Sequence, residues 1–338
     1  MKSILFTEKN KAELVNEECP QCGDCDVLVK LAVSTISSGT ERANLTGEVH
    51  INPYLKNEPA IARFPRRSGY SSSGTVEKIG KNVTSVAVGD RVALSWSFHS
   101  QYICINEENV TIISDPSVSF SEAAMWHIGT FPLAAIRKCR LEAGESAIVM
   151  GMGVLGLTAI KLLKASGAVP VIAADPVPEK REKALEMGAD YAFDPFNADF
   201  AEKVRSVTDG GVNVAIEVTG NGTALDTVLD CMSFFGRVAL LGCTRHSDFT
   251  IDYYKKVHAP GISLIGAHTL ARPKYESSPG MWTTRDDVKA LQKLVSYGRL
   301  QLGSLVEETY SPNEAEEVYK RLAEEKFFPI VQFDWRSL

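Results

Sequence analysis

Three glycines and one acid carry the clearest chemistry in the chain. Gly151-Met152-Gly153-Val154-Leu155-Gly156 follows directly on the apolar run Ala147-Ile148-Val149-Met150. It leads into Leu157–Ser166, where Leu157, Ile160, Leu162 and Leu163 recur with helical spacing. A Gly-x-Gly-x-x-Gly run between a strand and a helix brings backbone amides to a pyrophosphate. Gly151 permits the tight turn off the strand, Gly153 lets the backbone approach the phosphates, and Gly156 lets the helix pack closely on the sheet. The helix start at Val154 and Leu155 presents unpaired N–H groups and a positive dipole end. Asp175 closes a second apolar run, Val169–Ala174, about twenty residues further on. A carboxylate there accepts hydrogen bonds from the adenosine 2′- and 3′-hydroxyls and repels a 2′-phosphate, so the spacing predicts NAD rather than NADP. The competing reading makes the glycines packing residues and Asp175 a cap of the next helix. The match to a whole βαβ unit favours the first reading.

Other reactive side chains are less organised. Cys19-Pro20-Gln21-Cys22-Gly23-Asp24-Cys25 offers three thiolates at metal-ligand spacing, for zinc or an iron–sulfur cluster. No fourth cysteine lies nearby in sequence and no second knuckle completes the run, so a surface turn is the preferred reading. His50, His99, His246, His258 and His268 show no paired spacing for a metal and read as structural.

The elements that must hold these residues fall into two blocks. Up to Val92 the chain shows short strands punctuated by glycine, among them Asp26–Val33, with Ser34–Arg42 as a polar loop. This pattern predicts a compact, barrel-like β domain. Ser119 or Ser121 caps a helix that carries the chain onward. From about residue 145 to 270, strands alternate with helices. The strands are Ala147–Met150, Val169–Ala174, Tyr191–Phe193, Val212–Glu217, Arg237–Leu241 and Ser263–Ala267. Helical patterns intervene at Leu157–Ser166, Pro178–Met187, Ala198–Thr208 and Gly222–Ser233. The alternation predicts an α/β, doubly wound parallel sheet with ligand at the carboxyl ends of its strands. Asp287–Tyr297 and Pro312–Glu325 read as helices, and Pro329–Trp335 as a closing strand.

Composition sets the limits. The 338 residues are 44% hydrophobic and 23% charged, enough for two domains with real cores. A net charge of −6, with a pI of about 5.6, gives no nucleic-acid-binding face. No apolar run has the length of a membrane span, and the amino terminus shows no signal-peptide pattern. Seven cysteines at irregular spacing fit a reducing compartment better than a disulfide framework. The expectation is a cytoplasmic protein.

The order of these parts resembles the medium-chain dehydrogenase/reductase superfamily. The carriers are Asp26–Lys30, Gly69-Tyr70-Ser71 through Gly74, Val88-Gly89-Asp90-Arg91-Val92, the glycine motif, Leu185-Glu186-Met187-Gly188-Ala189-Asp190 and Glu217-Val218-Thr219-Gly220. Ile36-Ser37-Ser38-Gly39-Thr40-Glu41 with Gly69-Tyr70 is similar to the branch named for bacteriochlorophyllide dehydrogenases. The resemblance implies a GroES-like catalytic domain over residues 1–119, completed by 270–338, and a Rossmann NAD-binding domain over 120–269. It implies pyrophosphate contact at Gly151, Gly153 and Gly156 and ribose contact at Asp175 and Lys180. It also implies nicotinamide packing at Thr130, and backbone contacts at Val218, Thr219 and Gly242. His268, after the last nucleotide strand, falls near the nicotinamide. Trp96, Trp126, Trp282 and Phe98 are candidates for the substrate pocket. A homodimer or homotetramer is the implied assembly.

The departures from the family pattern decide the expected chemistry. Zinc-carrying members have Cys-Gly-(Ser/Thr)-Asp where this chain has Ser38-Gly39-Thr40-Glu41, and Gly-His-Glu where it has Gly69-Tyr70-Ser71. Their third ligand position falls on His127, or on Trp126 in a register one residue off. The four-cysteine lobe expected after Val92 is replaced by Ala93–His99. Hydroxyls are poor zinc ligands, so neither usual zinc site is expected and no metal is assigned. A side chain must then manage the alcohol's proton. His127 is the first candidate, because an unperturbed imidazole titrates near working pH. Tyr70 is the second, as a phenolic donor to a carbonyl oxygen. By resemblance, Thr40 sits where a hydroxyl relays the proton, and Glu41 orients or charge-balances the group. A local Glu41–Arg42 ion pair is the alternative for that acid. The expected activity is NAD-dependent interconversion of a secondary alcohol and a ketone, a sugar, cyclitol or other ring alcohol being implied by the branch. The alternatives are a zinc-free quinone or enoyl reductase and a non-catalytic dinucleotide-binding protein.

Overall fold

Six parallel strands form the sheet that the glycine motif belongs to. Their spatial order is Tyr191–Phe193, Val171–Ala174, Ala147–Met150, Val212–Glu217, Met232–Leu240 and Ser263–Gly266. Ala147–Met150 and Val171–Ala174 are buried at every position, as strands covered on both faces must be. The helices Val154–Ala165, Pro178–Glu186, Phe200–Ser206 and Gly222–Leu229 return the chain between strands. The core holds Ile148, Met150, Ile172, Val228 and Val238. Successive strands fill the sheet outward from Ala147–Met150 in both directions. Its carboxyl end is therefore the switch point at which such sheets bind ligands. These observations come from a computed structural model that describes residues 1–51, 62–245, 247 and 249–338.

A seven-stranded sheet in the other half is mostly antiparallel, with a smaller sheet of Lys2–Glu8, Lys11–Asn16 and Arg66–Arg67 beside it in the chain's first unit. Asp26–Thr35 lies at the centre of the larger sheet, paired with Ser71–Ile79, Tyr102–Asn106 and Val331–Asp334. Arg91–Ser95, Val110–Ile112 and Glu308–Tyr310 extend it. The carboxyl-terminal segment thus supplies two strands to the amino-terminal domain, and Tyr319, Phe333 and Trp335 join Val29, Leu31 and Leu94 in its core. This is the GroES-like half, and the six-stranded sheet is the Rossmann half.

The chain divides into residues 1–128 with 288–338, and residues 129–287. The boundaries therefore fall later than 119/120 and 269/270, for identifiable reasons. The turn Phe120–Ala123 is held by the first sheet: the Ser73 hydroxyl donates to Phe120 O and the Ser71 and Thr35 hydroxyls donate to Ala124 O. Residues 270–287 stay with the Rossmann unit because Arg272 donates to Thr130 O and to Asp287.

Local differences have equally local causes. Ser34–Arg42 is not a loop throughout, since Ser38–Leu45 is a helix whose Glu41 carboxylate accepts the Ser37 N–H. Ser119 is the cap that accepts Glu122 N–H, whereas Ser121 donates to Gln332. Cys22 forms a disulfide with Cys104 on the strand next to Asp26–Thr35, where the sequence favoured a reducing compartment over a disulfide framework. With Cys22 so engaged, and Cys19 and Cys25 exposed, the Cys-x-x-Cys-x-x-Cys run is not a three-thiolate centre here. Among the described residues no helix is long and apolar enough to cross a membrane.

Candidate active site

The glycine loop is built as its sequence requires. Gly151 has φ +98°, a conformation that favours glycine, and a Cβ there would lie 2.7 Å from Thr219 Cγ2. A Cβ on Gly156 would lie 1.8 Å from the Gly151 carbonyl oxygen, so only glycine lets the helix start this close to the turn. Gly153 differs: a Cβ there would meet nothing within 4 Å. Its backbone faces open space, and the helix that begins at Val154 and Leu155 has no side-chain cap. Uncapped N–H groups beside an open approach fit a bound pyrophosphate.

Asp175 stands at the carboxyl end of its strand and is buried. Its Oδ2 accepts Met152 N–H at 2.8 Å and its Oδ1 accepts Val177 N–H at 2.9 Å. The acid therefore ties the glycine loop to the neighbouring turn. It does not cap the helix Pro178–Glu186, which has Val177 at its N-cap. Each oxygen keeps a second lone pair, which fits acceptance from a ribose diol. Arg181 donates to Asp175 O at 2.7 Å and lies 3.7 Å from Asp194. Lys180 is half-buried on the same helix.

The turn Val218-Thr219-Gly220 is held by Glu217. Its carboxylate accepts Thr219 N–H at 2.7 Å, Gly220 N–H at 3.0 Å and the Thr219 hydroxyl. Burial pushes the Glu217 carboxyl above its ordinary range, while these donors pull it back. A Cβ on Gly242 would lie 2.2 Å from Gly220 N. Gly151, Val218, Thr219 and Gly242 are thus brought into one patch. Thr130 is fully buried and accepts from Arg272 through its carbonyl oxygen. His268 is half-buried, and burial and the Lys138 charge lower its basicity.

Of the candidate proton-handling groups, His127 and Tyr70 meet in the GroES-like unit. His127 is buried, with the Trp96 ring edge-on at 4.6 Å and the Tyr70 ring edge-on at 5.8 Å between centroids. Tyr70 donates its phenolic hydrogen to Ser37 Oγ. Trp96 is 37% exposed and takes φ +64°, rare for a bulky side chain and common at functional sites. Thr40 is half-buried on the helix Ser38–Leu45, and its carbonyl oxygen accepts from Asn44.

Glu41 is fully buried, and its partner is not Arg42. The Arg42 guanidinium donates to Leu322 O and Glu325 O. Glu41 accepts instead from Ser37 N–H at 2.7 Å, from Tyr319 OH at 2.6 Å and from His99 Nε2 at 3.1 Å. Sequence reasoning passed over Ser37 and Tyr319 and set His99 aside as structural. The only local signal was a serine four residues before an acid at a helix start, since Tyr319 arrives from a distant helix.

The remaining aromatics separate. Trp126 is fully buried, so it belongs to the core rather than to a pocket wall. Trp282 lies under the Arg137 guanidinium at 3.6 Å, and Phe98 is exposed near Arg67. His50 and His258 lie on the surface, and His246 lies outside the described residues.

Comparison with known proteins agrees with the GroES-like and Rossmann fold. The family described as alcohol dehydrogenase GroES-like domain matches residues 23–132, and the one described as zinc-binding dehydrogenase matches residues 154–282. The chain is 30% identical over 331 residues to the L-threonine 3-dehydrogenase of Pyrococcus horikoshii, covering 88% of each chain. It is 27% identical over 271 residues to the (R,R)-butanediol dehydrogenase of Bacillus subtilis, covering 71% of this chain and 77% of that one. The crystal structure of 2R,3R-butanediol dehydrogenase from Bacillus subtilis shares the fold, with a TM-score of 0.81 at 22% identity over 98% of this chain and 99% of that one. Galactitol-1-phosphate dehydrogenase from Escherichia coli does so with a TM-score of 0.83 at 20% identity, over 99% of this chain and all of the other. The chain belongs to the medium-chain dehydrogenase/reductase superfamily, among its alcohol-dehydrogenase-like oxidoreductases.

Proposed function

We propose that the protein interconverts a secondary alcohol and a ketone with NAD(H), without a resident zinc ion. The observation that carries the cofactor choice is Asp175, a buried carboxylate at the ribose position with one lone pair left on each oxygen. A 2′-phosphate placed beside it meets a like charge. The nicotinamide, when bound, takes up or gives back the hydride. Everything else falls to this chain's own residues. Val154, Leu155 and the Gly153 backbone hold the pyrophosphate, and Glu217 keeps the Val218–Gly220 turn in place beside the loop.

The proposal of metal-independence rests on donor chemistry. The positions at which zinc-carrying members place ligands hold Ser38, Tyr70 and His127. One imidazole with two neutral hydroxyls is a poor zinc set. Among the described residues no three His, Cys, Asp or Glu side chains converge on a metal position. His127 takes the alcohol proton in oxidation and returns it in reduction, and the Tyr70 phenol orients the substrate oxygen.

A panel of alcohols with NAD and NADP, followed at the NADH absorbance band, tests the reading. Turnover should require NAD, and His127→Ala should lower kcat by about a hundredfold or more with NADH affinity retained. Unchanged turnover in that variant, or one equivalent of zinc in active protein, would overturn the mechanism.

A further inference from the structure

The polar network around Glu41 is larger than a helix start needs. Ser37 occupies the N-cap of Ser38–Leu45, where a serine hydroxyl ordinarily accepts a backbone N–H of the first turn. Here it makes no such bond and accepts the Tyr70 phenol instead. The helix has given up its cap to hold a side chain of the candidate site. Below it lies a buried carboxylate with three donors, and the third donor is His99.

The protons on His99 can be counted. Its Nδ1 lies 2.7 Å from Ser34 Oγ, and Ser34 Oγ also accepts Trp335 Nε1–H at 2.8 Å. Among the described residues Nδ1 is the acceptor within reach of the Ser34 hydroxyl proton. Nε2 faces carboxylate oxygens, which accept, so it carries a proton and donates to Glu41, at 3.1 and 3.2 Å to its two oxygens. His99 also grips the backbone on which Tyr70 stands. Its backbone N–H, which any side-chain substitution other than proline keeps, donates to Ser68 O at 3.1 Å. Its ring lies against Gly69, where a Cβ would come within 2.8 Å of Cδ2, and Gly69 has φ +94°.

We propose that His99 is a positioning residue for Tyr70, an inference that rests on the alcohol/ketone reading above. Its side chain holds the phenol through Glu41 and the Ser37 backbone to the hydroxyl, and its ring packs against Gly69, next to Tyr70 in the chain. Removing the Nε2 donor strips a fully buried carboxylate of one of its three partners. Glu41 and Ser37 must then rearrange, and the phenol loses its fixed place.

The test compares His99→Phe, which keeps ring volume without the donor, with His99→Gln, which restores an N–H donor. Protein labelled with fluorotyrosine reports the Tyr70 environment by fluorine NMR, its resonance assigned by its loss in Tyr70→Phe. In His99→Phe the resonance should move, and kcat should fall by about tenfold to a hundredfold while KM stays nearly constant. His99→Gln should recover part of both. A folded His99→Phe with an unmoved resonance overturns the proposal, as does His99→Gln that behaves no better than His99→Phe. If His99→Phe does not fold, His99→Asn, whose shorter amide cannot reach Glu41 from the same backbone, decides by the same readouts, an unmoved resonance again overturning the proposal. Wild-type protein that turns over no alcohol, but whose Tyr70 resonance still moves in these variants, defeats the functional reading and leaves the positioning intact.

Discussion

At the scale of single residues, burial sorts the cysteines by reactivity. Cys19, Cys25 and Cys243 are exposed, whereas Cys139 and Cys231 are buried and their thiols are pushed up to about 12 by desolvation. The thiolate is the nucleophile, so a raised thiol stays protonated and inert until the pH approaches that value. Iodoacetamide applied to native protein near neutral pH should label the three exposed thiols and spare the other two, as peptide mass spectrometry would show. Cys22 and Cys104 should label only after reduction. Labelling of Cys139 in folded protein would contradict its packing. The same scale shows what a sequence can disclose about a site. The turn at Gly151 and the close helix packing at Gly156 were legible because they depend on near neighbours in the chain. His99 was not, because its meaning comes from Glu41, 58 residues away, and from Ser34, 65 away. Arg42 misled for the converse reason. Adjacency in sequence suggested a pair, but residues one apart on a helix point in different directions.

At the scale of elements, the glycine-loop helix separates two kinds of glycine. Gly156→Ala forces a Cβ to within 1.8 Å of a carbonyl oxygen, so the helix must move off the turn. We expect a stability loss of roughly 1–3 kcal/mol together with weakened NADH binding. Gly153→Ala meets nothing in the protein, so its melting temperature should stay near wild type while NADH affinity falls. Thermal melts and fluorescence titration on both variants would check the contrast, and equal behaviour would contradict it. The strands of the Rossmann half were read nearly to the residue, because buried parallel strands are short apolar runs with sharp polar ends. Met232–Leu240 was the exception, beginning five residues earlier than its apolar stretch suggested. The helix Ser38–Leu45 was missed because its residues are mostly polar, and it is anchored by Glu41 rather than by an apolar stripe.

At the scale of the whole molecule, the chain leaves its first unit near residue 128 and comes back near 288, so the GroES-like sheet closes only when Val331–Asp334 pairs with Asp26–Thr35. The pairing is non-local, of the kind that slows folding. The general plan was readable from the order of strand and helix patterns. The boundaries were not, because they are set by hydrogen bonds such as Ser73 to Phe120 and Arg272 to Thr130, which leave no periodic trace. One covalent link adds a condition from outside the polypeptide. The Cys22–Cys104 bond spans 82 residues, and constraining a loop of that length contributes up to about 4 kcal/mol. Melting in the presence of dithiothreitol should therefore begin at lower temperature than in its absence. The thiol–disulfide balance of its surroundings thereby becomes one of the variables that determine how firmly the amino-terminal sheet holds together.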